Sequence, residues 1–412
     1  MPELVLVNAG ELVTCAGGGD GDQEALGVIE DGALMVDGGR ISWIGTSKEL
    51  GRKTFGKPRR TMDARGGLVT PGFVDPHTHL VFAGSREDEL DRKTRGESYV
   101  SILSSGGGIQ RTVRDTRKAT AREICAQSLA RVEQMVANGV TTVETKTGYG
   151  QRARDELKMI QAIELLRKAT KIDVVSTFLG LHARPPEFDD SGEYVDYAIR
   201  EMLPLVARSQ ARPAFSDCFC EEGIFSRGDC ARYLRASREL GFSLKIHADE
   251  FADSRGASLA AESGCVSADH IGHSGPAGIE SMAEKGVVAV LLPGTSLYSS
   301  ISYADAKGII RAGCSVALGT DLSPNSWIES PQFVMGLACA GLKMTPAQAL
   351  LGFTANAAKA ISRADVGSLR LGNSADFVVH SLTGYRQLPY RLGGSYVRKV
   401  IKEGREVYSR EV

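Results

Sequence analysis

Residues 71–79 read PGFVDPHTH, an apolar run that ends in a His-x-His pair. Side chains on a β-strand alternate between two faces, so His77 and His79 share one face and can reach the same ion. The run predicts a strand over Gly72–His79. Polar metal-type residues at the carboxyl end of a buried strand are typical of the catalytic rim of a parallel barrel.

Seven further strand candidates follow, and helical runs separate them. The strands are Val140–Thr145, Ile172–Gly180, Ala214–Cys220, Ser243–Ala248, Ser267–Gly272, Val287–Pro293 and Ser315–Asp321. The helical runs are Ala121–Asn138, Asp155–Thr170, Tyr194–Arg208, Asp229–Leu240, Ser254–Ser263 and Ile279–Lys285. This alternation indicates a parallel sheet. Eight units over about 290 residues fit an α/β fold of the (β/α)8 TIM-barrel type. An open doubly wound sheet is the alternative, and the polar residues at several strand ends favour the barrel.

Both ends of the chain carry short strand signals instead. The N-terminal candidates are Leu4–Val7, Leu12–Cys15, Ala33–Val36 and Ile41–Gly45, and the C-terminal candidates are Ala375–His380, Tyr396–Glu403 and Glu406–Ser409. We expect a turn at Ala9-Gly10 and a hairpin at Asp37-Gly38-Gly39. Two β-rich ends around a different middle suggest that the termini join in one small sheet domain.

Composition limits the classes of partner. The 412 residues hold 49 Lys+Arg against 50 Asp+Glu, a net charge of −1, so we expect no nucleic-acid partner. No apolar run reaches about 18 residues, so we expect no membrane partner. Eight scattered cysteines indicate reduced thiols and a cytoplasmic location. The pair Cys218-x-Cys220 fits neither zinc nor redox spacing and is predicted to be buried core.

Three more strand ends carry residues of the same chemical type. His247 ends the fifth strand with Glu250 three residues later, His270 ends the sixth, and Asp321 ends the eighth. Three histidines and one carboxylate suit Zn²⁺ or Fe²⁺. Such an ion activates water and polarises a carbonyl, while a nearby Asp, Glu or His carries the proton.

The remaining histidines are less informative. His182 follows the third strand and is either a substrate donor or a packed loop residue. His273 is predicted to lie in a loop, and His380 lies in the C-terminal β segment away from the rim. We assign no role to His273 or His380.

Taken together, these motifs resemble the amidohydrolase superfamily, and the fit is closest to its imidazolonepropionase family. The resemblance runs over nearly the whole chain. Beyond PGFVDPHTHL, it is carried by HTHLVFAGSREDEL (77–90), GGGIQRTVRDTR (106–117), GVTTVETKTGYG (139–150), LHARPPEF (181–188), KIHADE (245–250) and SADH (267–270).

The resemblance implies a metal-dependent hydrolase barrel over residues 66–365 and a small β-sandwich formed by residues 1–65 and 366–412. It implies one divalent metal ion, zinc or iron, held by His77, His79, His247 and Asp321. It also implies a homodimer and a small-molecule substrate with a carboxylate tail. The reaction would be hydrolysis of the cyclic amide C–N bond of 4-imidazolone-5-propanoate to N-formimidoyl-L-glutamate, a step in histidine degradation.

Roles for individual residues follow from the same resemblance. The implied catalytic residues are Glu250, His270 and Asp321, with either carboxylate as proton acceptor and His270 stabilising the oxyanion. The implied substrate contacts are Arg86, Tyr99, Tyr149, His182, Glu250, Ser323, Asn325 and Ser326. Arg86 offers a planar fork that suits a carboxylate. The alternative for Arg86 is a solvated helix arginine within the charged stretch REDELDRK.

One loop departs from the family pattern. Where the family often reads Asn-Pro-Gly after the metal aspartate, this chain has Ser323-Pro324-Asn325. Ser is shorter than Asn, and Asn325 has a side chain where Gly has none. Two alternative functions therefore stay open: a related amidohydrolase that opens another small cyclic amide or deaminates an aminated heterocycle, and a metal-poor binding or scaffold protein.

Overall fold

The computed structural model describes residues 1–17, 22–97, 101–102 and 105–410. Over these residues the strands form one parallel and one mixed sheet of eight strands each. The strands are β1 (Leu4–Val13), β2 (Val28–Asp37), β3 (Arg40–Thr46), β4 (Arg60–Asp63), β5 (Val69–Pro71), β6 (Phe73–Asp75), β7 (Val140–Lys146), β8 (Asp173–Leu181), β9 (Phe215–Cys220), β10 (Ser243–Ala248), β11 (Ser267–His270), β12 (Val288–Leu291), β13 (Val316–Leu318), β14 (Phe377–His380), β15 (Val397–Lys402) and β16 (Arg405–Ser409).

Helices follow each barrel strand and also occur in the two terminal parts of the chain. They cover Asp22–Leu26, Ser47–Leu50, Glu87–Thr94, Ile109–Lys118, Ala121–Ala137, Ala153–Ala169, Ser191–Tyr197, Leu203–Ala207, Arg227–Glu239, Gly256–Ser263, Pro276–Lys285, Pro293–Ser299, Ala306–Arg311, Pro331–Ala340, Pro346–Gly352, Ala355–Ala360 and Gln387–Tyr390, with a π-turn at Ala198–Met202. No helix in the described part of the chain is both long and apolar enough to cross a bilayer.

Strands β6 to β13 form the predicted barrel. Each strand pairs in parallel with its neighbour in the chain, from β6 at one edge to β13 at the other. The two edge strands are joined through the Asp75 carboxylate, which accepts the Thr320 backbone N–H at 3.2 Å and the Thr320 hydroxyl at 2.6 Å. Beyond this contact, the His79 backbone N–H donates to the Leu322 carbonyl, and the Asp321 N–H donates to the His77 carbonyl. The same join brings the His-x-His segment beside Asp321.

The predicted helices are present, and local signals explain where they begin. The helix Ala121–Ala137 begins at a capping box in which Thr120 and Glu123 bond reciprocally, and it buries Ile124 and Met135. The predicted run Tyr194–Arg208 is interrupted by the π-turn Ala198–Met202. Pro204 follows that turn, and because proline has no backbone N–H it cannot complete the ordinary hydrogen-bond pattern.

The mixed sheet joins the two ends of the chain, as expected. Its order is β16-β15-β14-β5-β1-β2-β3, with β4 also paired to β1, and the antiparallel β14–β5 pair links the C-terminal and N-terminal parts. The predicted hairpin is present at Gly38 and Gly39, whose φ values of 56° and 72° suit a tight turn between β2 and β3. Strand β5 belongs to this sheet and extends its N-terminal part to Pro71. The domain boundaries after residues 65 and 365 stay predictions.

The predicted turn at Ala9-Gly10 is wrong. Strand β1 runs without a break from Leu4 to Val13, and its register shifts around Asn8, which has a φ of 57°. Gly10 is required for a different reason. A Cβ at Gly10 would lie 2.3 Å from the carbonyl oxygen of Gly66, so the glycine permits a close backbone approach.

Candidate metal centre and active site

A cavity of about 570 Å³ opens at the carboxyl ends of the barrel strands. Its described wall includes residues of both the metal-type set and the implied substrate contacts, together with apolar side chains such as Phe219 and Phe251. The lining residues include His79, Arg86, Lys93, Tyr149, His182, Phe219, His247, Glu250, His270, Thr295, Asp321, Ser323 and Asn325. Sequence positions far apart in the chain therefore share one site at the rim where parallel-barrel enzymes carry out catalysis.

Three buried histidines form a group that could hold a cation. The strand predicted over Gly72–His79 ends at Asp75, so His77 and His79 lie beyond β6 and not on it. His247 lies in β10, and one ligand atom from each histidine lies within 4.8 Å of the others. The His79 and His247 Nε2 atoms are 3.3 Å apart. Asp321 adds a carboxylate oxygen, because its Oδ1 is 3.5 Å from Nε2 of His77 and 3.5 Å from Nε2 of His79.

Two aspartates orient two of the three imidazoles. Asp269 Oδ2 lies 2.6 Å from Nδ1 of His77, and Asp217 Oδ1 lies 3.1 Å from Nδ1 of His247. With Nδ1 engaged, each ring directs Nε2 toward the shared centre, and the buried Nε2 of His77 has no hydrogen-bond partner. This donor arrangement fits a divalent cation, because metal-binding histidines normally donate their second ring N–H to a carboxylate.

The protonation states also suit metal binding. Burial holds the pKa of His77, His79 and His247 well below the ordinary value of 6.5, and neighbouring cationic or imidazole groups lower it further. The rings are therefore neutral at neutral pH, which is the form that binds a metal. Burial also raises the pKa of Asp321 to about 7, and a bound cation would favour its ionised form.

Beneath the histidines lies a fully buried group of charged side chains that the sequence analysis missed. Lys146 Nζ lies 2.9 Å from both Glu144 Oε1 and Asp217 Oδ2, and Lys245 Nζ lies 3.6 Å from Asp269 Oδ2. Burial alone would lower the pKa of Lys146, but Asp217 and Glu144 outweigh that effect and raise it. The charged ammonium thus balances the carboxylates that orient the histidines.

Glu250 and His270 stand next to each other on the cavity wall. His270 Nε2 lies 3.6 Å from Glu250 Oε2. Burial, followed by repulsion from Asp321, raises the pKa of Glu250 well above its ordinary value, and burial lowers the pKa of His270 to about 4. A buried carboxyl group that favours its protonated form, next to a neutral imidazole on a cavity wall, is typical of acid–base sites.

The family profile for the amidohydrolase family matches residues 60–99 and 97–408. This chain belongs to the amidohydrolase family. Its curated relatives include proteins named imidazolonepropionase from Shouchella clausii and Symbiobacterium thermophilum, each 45% identical and matched over 98% of this chain and over 92% and 96% of the relative. A third, from Parabacteroides distasonis, is 42% identical over 98% of this chain and 99% of its own length.

Solved structures support the fold of this amidohydrolase. Guanine deaminase from E. coli has a TM-score of 0.74 at 19% identity and is covered over 99% of both chains. A 5-methylcytosine deaminase from Klebsiella pneumoniae has a TM-score of 0.75 at 18% identity, covering 99% of this chain and 98% of that one. At this level of identity, both similarities show the fold alone, and they agree with the predicted fold class.

Most implied substrate contacts of the amidohydrolase lie on the cavity wall. His182 stacks on His79 with ring centroids 5.0 Å apart, and Tyr149 lies 5.1 Å from His182. Burial lowers the pKa of His182 to about 4, so this ring is neutral. Tyr99 lies outside the described residues.

The loop after Asp321 divides its residues between the wall and the interior. Ser323 and Asn325 line the cavity, whereas Ser326 is buried behind them and donates its backbone N–H to Ser323 Oγ at 3.2 Å. Arg86 is buried on the wall and is not the solvated helix arginine of the alternative interpretation. Lys93 was missed, because its charged surroundings in the sequence suggested a solvated helix face.

Proposed function

We propose that this amidohydrolase is an imidazolonepropionase, which hydrolyses the ring amide of 4-imidazolone-5-propanoate to N-formimidoyl-L-glutamate. The observation that carries the proposal is the cavity itself. It combines a cation-binding histidine group, an acid–base pair and the buried guanidinium of Arg86. The names of relatives 42–45% identical over nearly the whole chain support the same reaction.

The ion that we propose is Zn²⁺ or Fe²⁺, held by His77, His79, His247 and Asp321. Imidazole nitrogen with one carboxylate oxygen suits either metal. When bound, such an ion polarises the ring carbonyl and lowers the pKa of water. Asp321 is well placed as a ligand, since Thr295 donates its hydroxyl to Oδ2 and leaves Oδ1 facing the histidines.

The side chains of the wall bind and orient the substrate. Arg86 presents hydrogen-bond donors to the propionate tail, and the Tyr149 hydroxyl and the neutral ring of His182 hydrogen-bond the polar edges of the planar ring. A substrate fixed in this way loses little further entropy at the transition state. The stacked arrangement of His182 on His79 holds this orienting wall next to the metal ligands.

Glu250 and His270 handle the proton and the developing charge. Glu250 takes a proton from the attacking water as the new C–O bond forms, and it returns that proton to the ring nitrogen as the C–N bond breaks. Its raised pKa makes the ionised carboxylate a stronger base for the first transfer and favours the protonated state from which the return step proceeds. His270, a neutral imidazole, donates an N–H to the oxygen that becomes negatively charged.

The test is ring opening of 4-imidazolone-5-propanoate by the purified protein, compared with hydantoin, dihydropyrimidine and aminated purine rings under the same conditions. We expect turnover of the imidazolone, loss of activity after chelation, and recovery with Zn²⁺ or Fe²⁺. Release of ammonia from an aminated ring, without turnover of the imidazolone, would instead identify a deaminase. Metal analysis of the purified protein separates an enzyme from a metal-poor scaffold.

A further inference from the structure

The positive charge of Arg86 is already compensated within the protein. Arg86 donates from Nε and Nη2 to Oε2 of Glu89 at 3.0 and 2.8 Å. The other Glu89 oxygen accepts the backbone N–H of Gly108 at 2.7 Å. Arg86 can therefore supply directional donors to an anion, but the Arg86–Glu89 pair contributes no net charge to the cavity.

A second cation faces the same cavity. Lys93 lies in the helix Glu87–Thr94, seven residues after Arg86, a spacing that places both on one side of the helical path. Its side chain lines the cavity and is half-buried. Among the described residues, no carboxylate lies within 4.0 Å of Lys93 Nζ as an ion-pair partner.

The contact that Lys93 does make is with a neutral group. Nζ donates to Oδ1 of Asn325 at 3.1 Å. Burial, followed by repulsion from Arg86, lowers the pKa of Lys93 below its ordinary value of 10.5, and the attraction of Glu89 opposes this only in part. An ammonium group that is partly removed from water beside another cation is stabilised by an added anion.

We infer that Lys93 supplies the net positive charge of the substrate-tail subsite and binds the carboxylate directly, with Arg86 providing directional hydrogen bonds. Asn325 is the positioning residue that holds Nζ at the wall. This inference deepens the proposed function and rests on it, because the propionate tail is the anion that the subsite would take. Asn325 belongs to the loop that follows Asp321, so the tail subsite and the metal site share one segment of backbone.

The experiment compares Lys93→Gln with the wild type in turnover of 4-imidazolone-5-propanoate. We expect KM to rise about 10- to 100-fold, as for loss of one charged hydrogen bond, with kcat changed less than about threefold. Lys93→Arg should recover most of the affinity. Arg95→Gln is the matched control, since it removes a cation from the end of the same helix, where Arg95 is exposed and pairs with Asp91.

A binding assay separates charge recognition from general damage. The probes are 3-(imidazol-4-yl)propanoate and its uncharged amide, with affinities measured by calorimetry at low and high salt. We expect the wild type to prefer the acid, and Lys93→Gln to lose about tenfold or more of that preference together with its salt dependence. Amide binding should stay unchanged.

The two proposals fail in different ways. If the wild type turns over the imidazolone but Lys93→Gln has the KM and the acid preference of the wild type, the inference about Lys93 is overturned and the proposed function stands. An equal loss in Arg95→Gln would also overturn it, because the effect would then be long-range. If the wild type does not turn over the imidazolone, the proposed function is overturned, and the inference falls with it.

Discussion

At the scale of single residues, two aspartates determine that Nε2, and not Nδ1, of His77 and His247 faces the candidate metal site. Asp269 and Asp217 each occupy Nδ1 of one histidine, and both are fully buried. Their negative charge is offset by Lys146 and Lys245, so the carboxylates remain in place without solvent. His77 and His247 are therefore held in the metal-binding orientation by groups that do not themselves line the cavity.

Replacement of Asp269 by Asn tests this arrangement. The amide keeps the shape of the side chain but loses the charge, so we expect metal affinity to fall about 10- to 100-fold, as is typical for such supporting partners. Competition with a chelator measures the affinity, and circular dichroism confirms that the variant is folded. Glu250→Gln is the control: it should lower kcat about 10²- to 10⁴-fold and leave metal affinity unchanged. Unaltered affinity in Asp269→Asn would contradict the orienting role.

At the scale of elements, the segment after β10 is built around one carboxylate. Glu221 accepts the backbone N–H groups of Glu250 at 2.7 Å, Phe251 at 3.1 Å and Ala252 at 3.0 Å. Asp249, at the start of the segment, has a φ of 54°, a conformation that non-glycine residues rarely adopt. The three bonds to Glu221 hold this strained segment in place and thereby fix Glu250 beside His270.

Glu221→Gln should loosen that segment. An amide has one acceptor oxygen where the carboxylate has two, so at least one backbone N–H loses its partner. We expect kcat to fall about tenfold, with metal affinity unchanged, because a misplaced proton carrier slows the reaction without affecting the metal ligands. Glu222→Gln, at the adjacent exposed position, should behave as the wild type. Equal kcat values for the two variants would refute the positioning role.

At the scale of the whole molecule, the order of elements could be predicted from sequence, but their closure could not. Alternation of apolar strands with helices is a local pattern, and it located all eight barrel strands and the meeting of the termini. The Asp75–Thr320 join and the Asp269–His77 contact depend on strand register across about 190 to 245 residues, which no local pattern encodes. Gly10 illustrates a further limit, since a close approach and a turn both require glycine.

For the candidate site too, some residues could be predicted from local sequence patterns and others could not. Ligand types at strand ends could be recognised because parallel strands bring their carboxyl ends to one rim. Lys146, which balances the charge of an orienting aspartate, and Lys93, the second cation of the cavity wall, occupy sequence contexts that also occur on solvated faces. The roles of the individual site residues, the cytoplasmic location and the homodimer stay predictions.

A buried histidine between the mixed sheet and the first barrel strand should make the stability of the protein depend on pH. His380 lies in β14, its Nε2 is 3.0 Å from the Thr70 hydroxyl, and its ring packs 5.9 Å from Phe73. Burial lowers its pKa to about 3 from the ordinary value of 6.5. The unfolded chain therefore binds a proton at this residue below about pH 6.5, while the folded protein does so only near pH 3.

It follows that the contribution of neutral His380 to stability is complete above about pH 6.5 and is lost as the pH falls from there toward 3, by about 1.4 kcal/mol per pH unit. Between pH 7 and pH 5, the free energy of unfolding of His380→Gln should fall by about 2 kcal/mol less than that of the wild type. Urea unfolding at the two pH values measures the difference. Any loss of metal in acid affects both proteins equally and cancels in this comparison. Parallel pH dependences of the two proteins would contradict the prediction, because His380 would then be protonated in the folded state at pH 5.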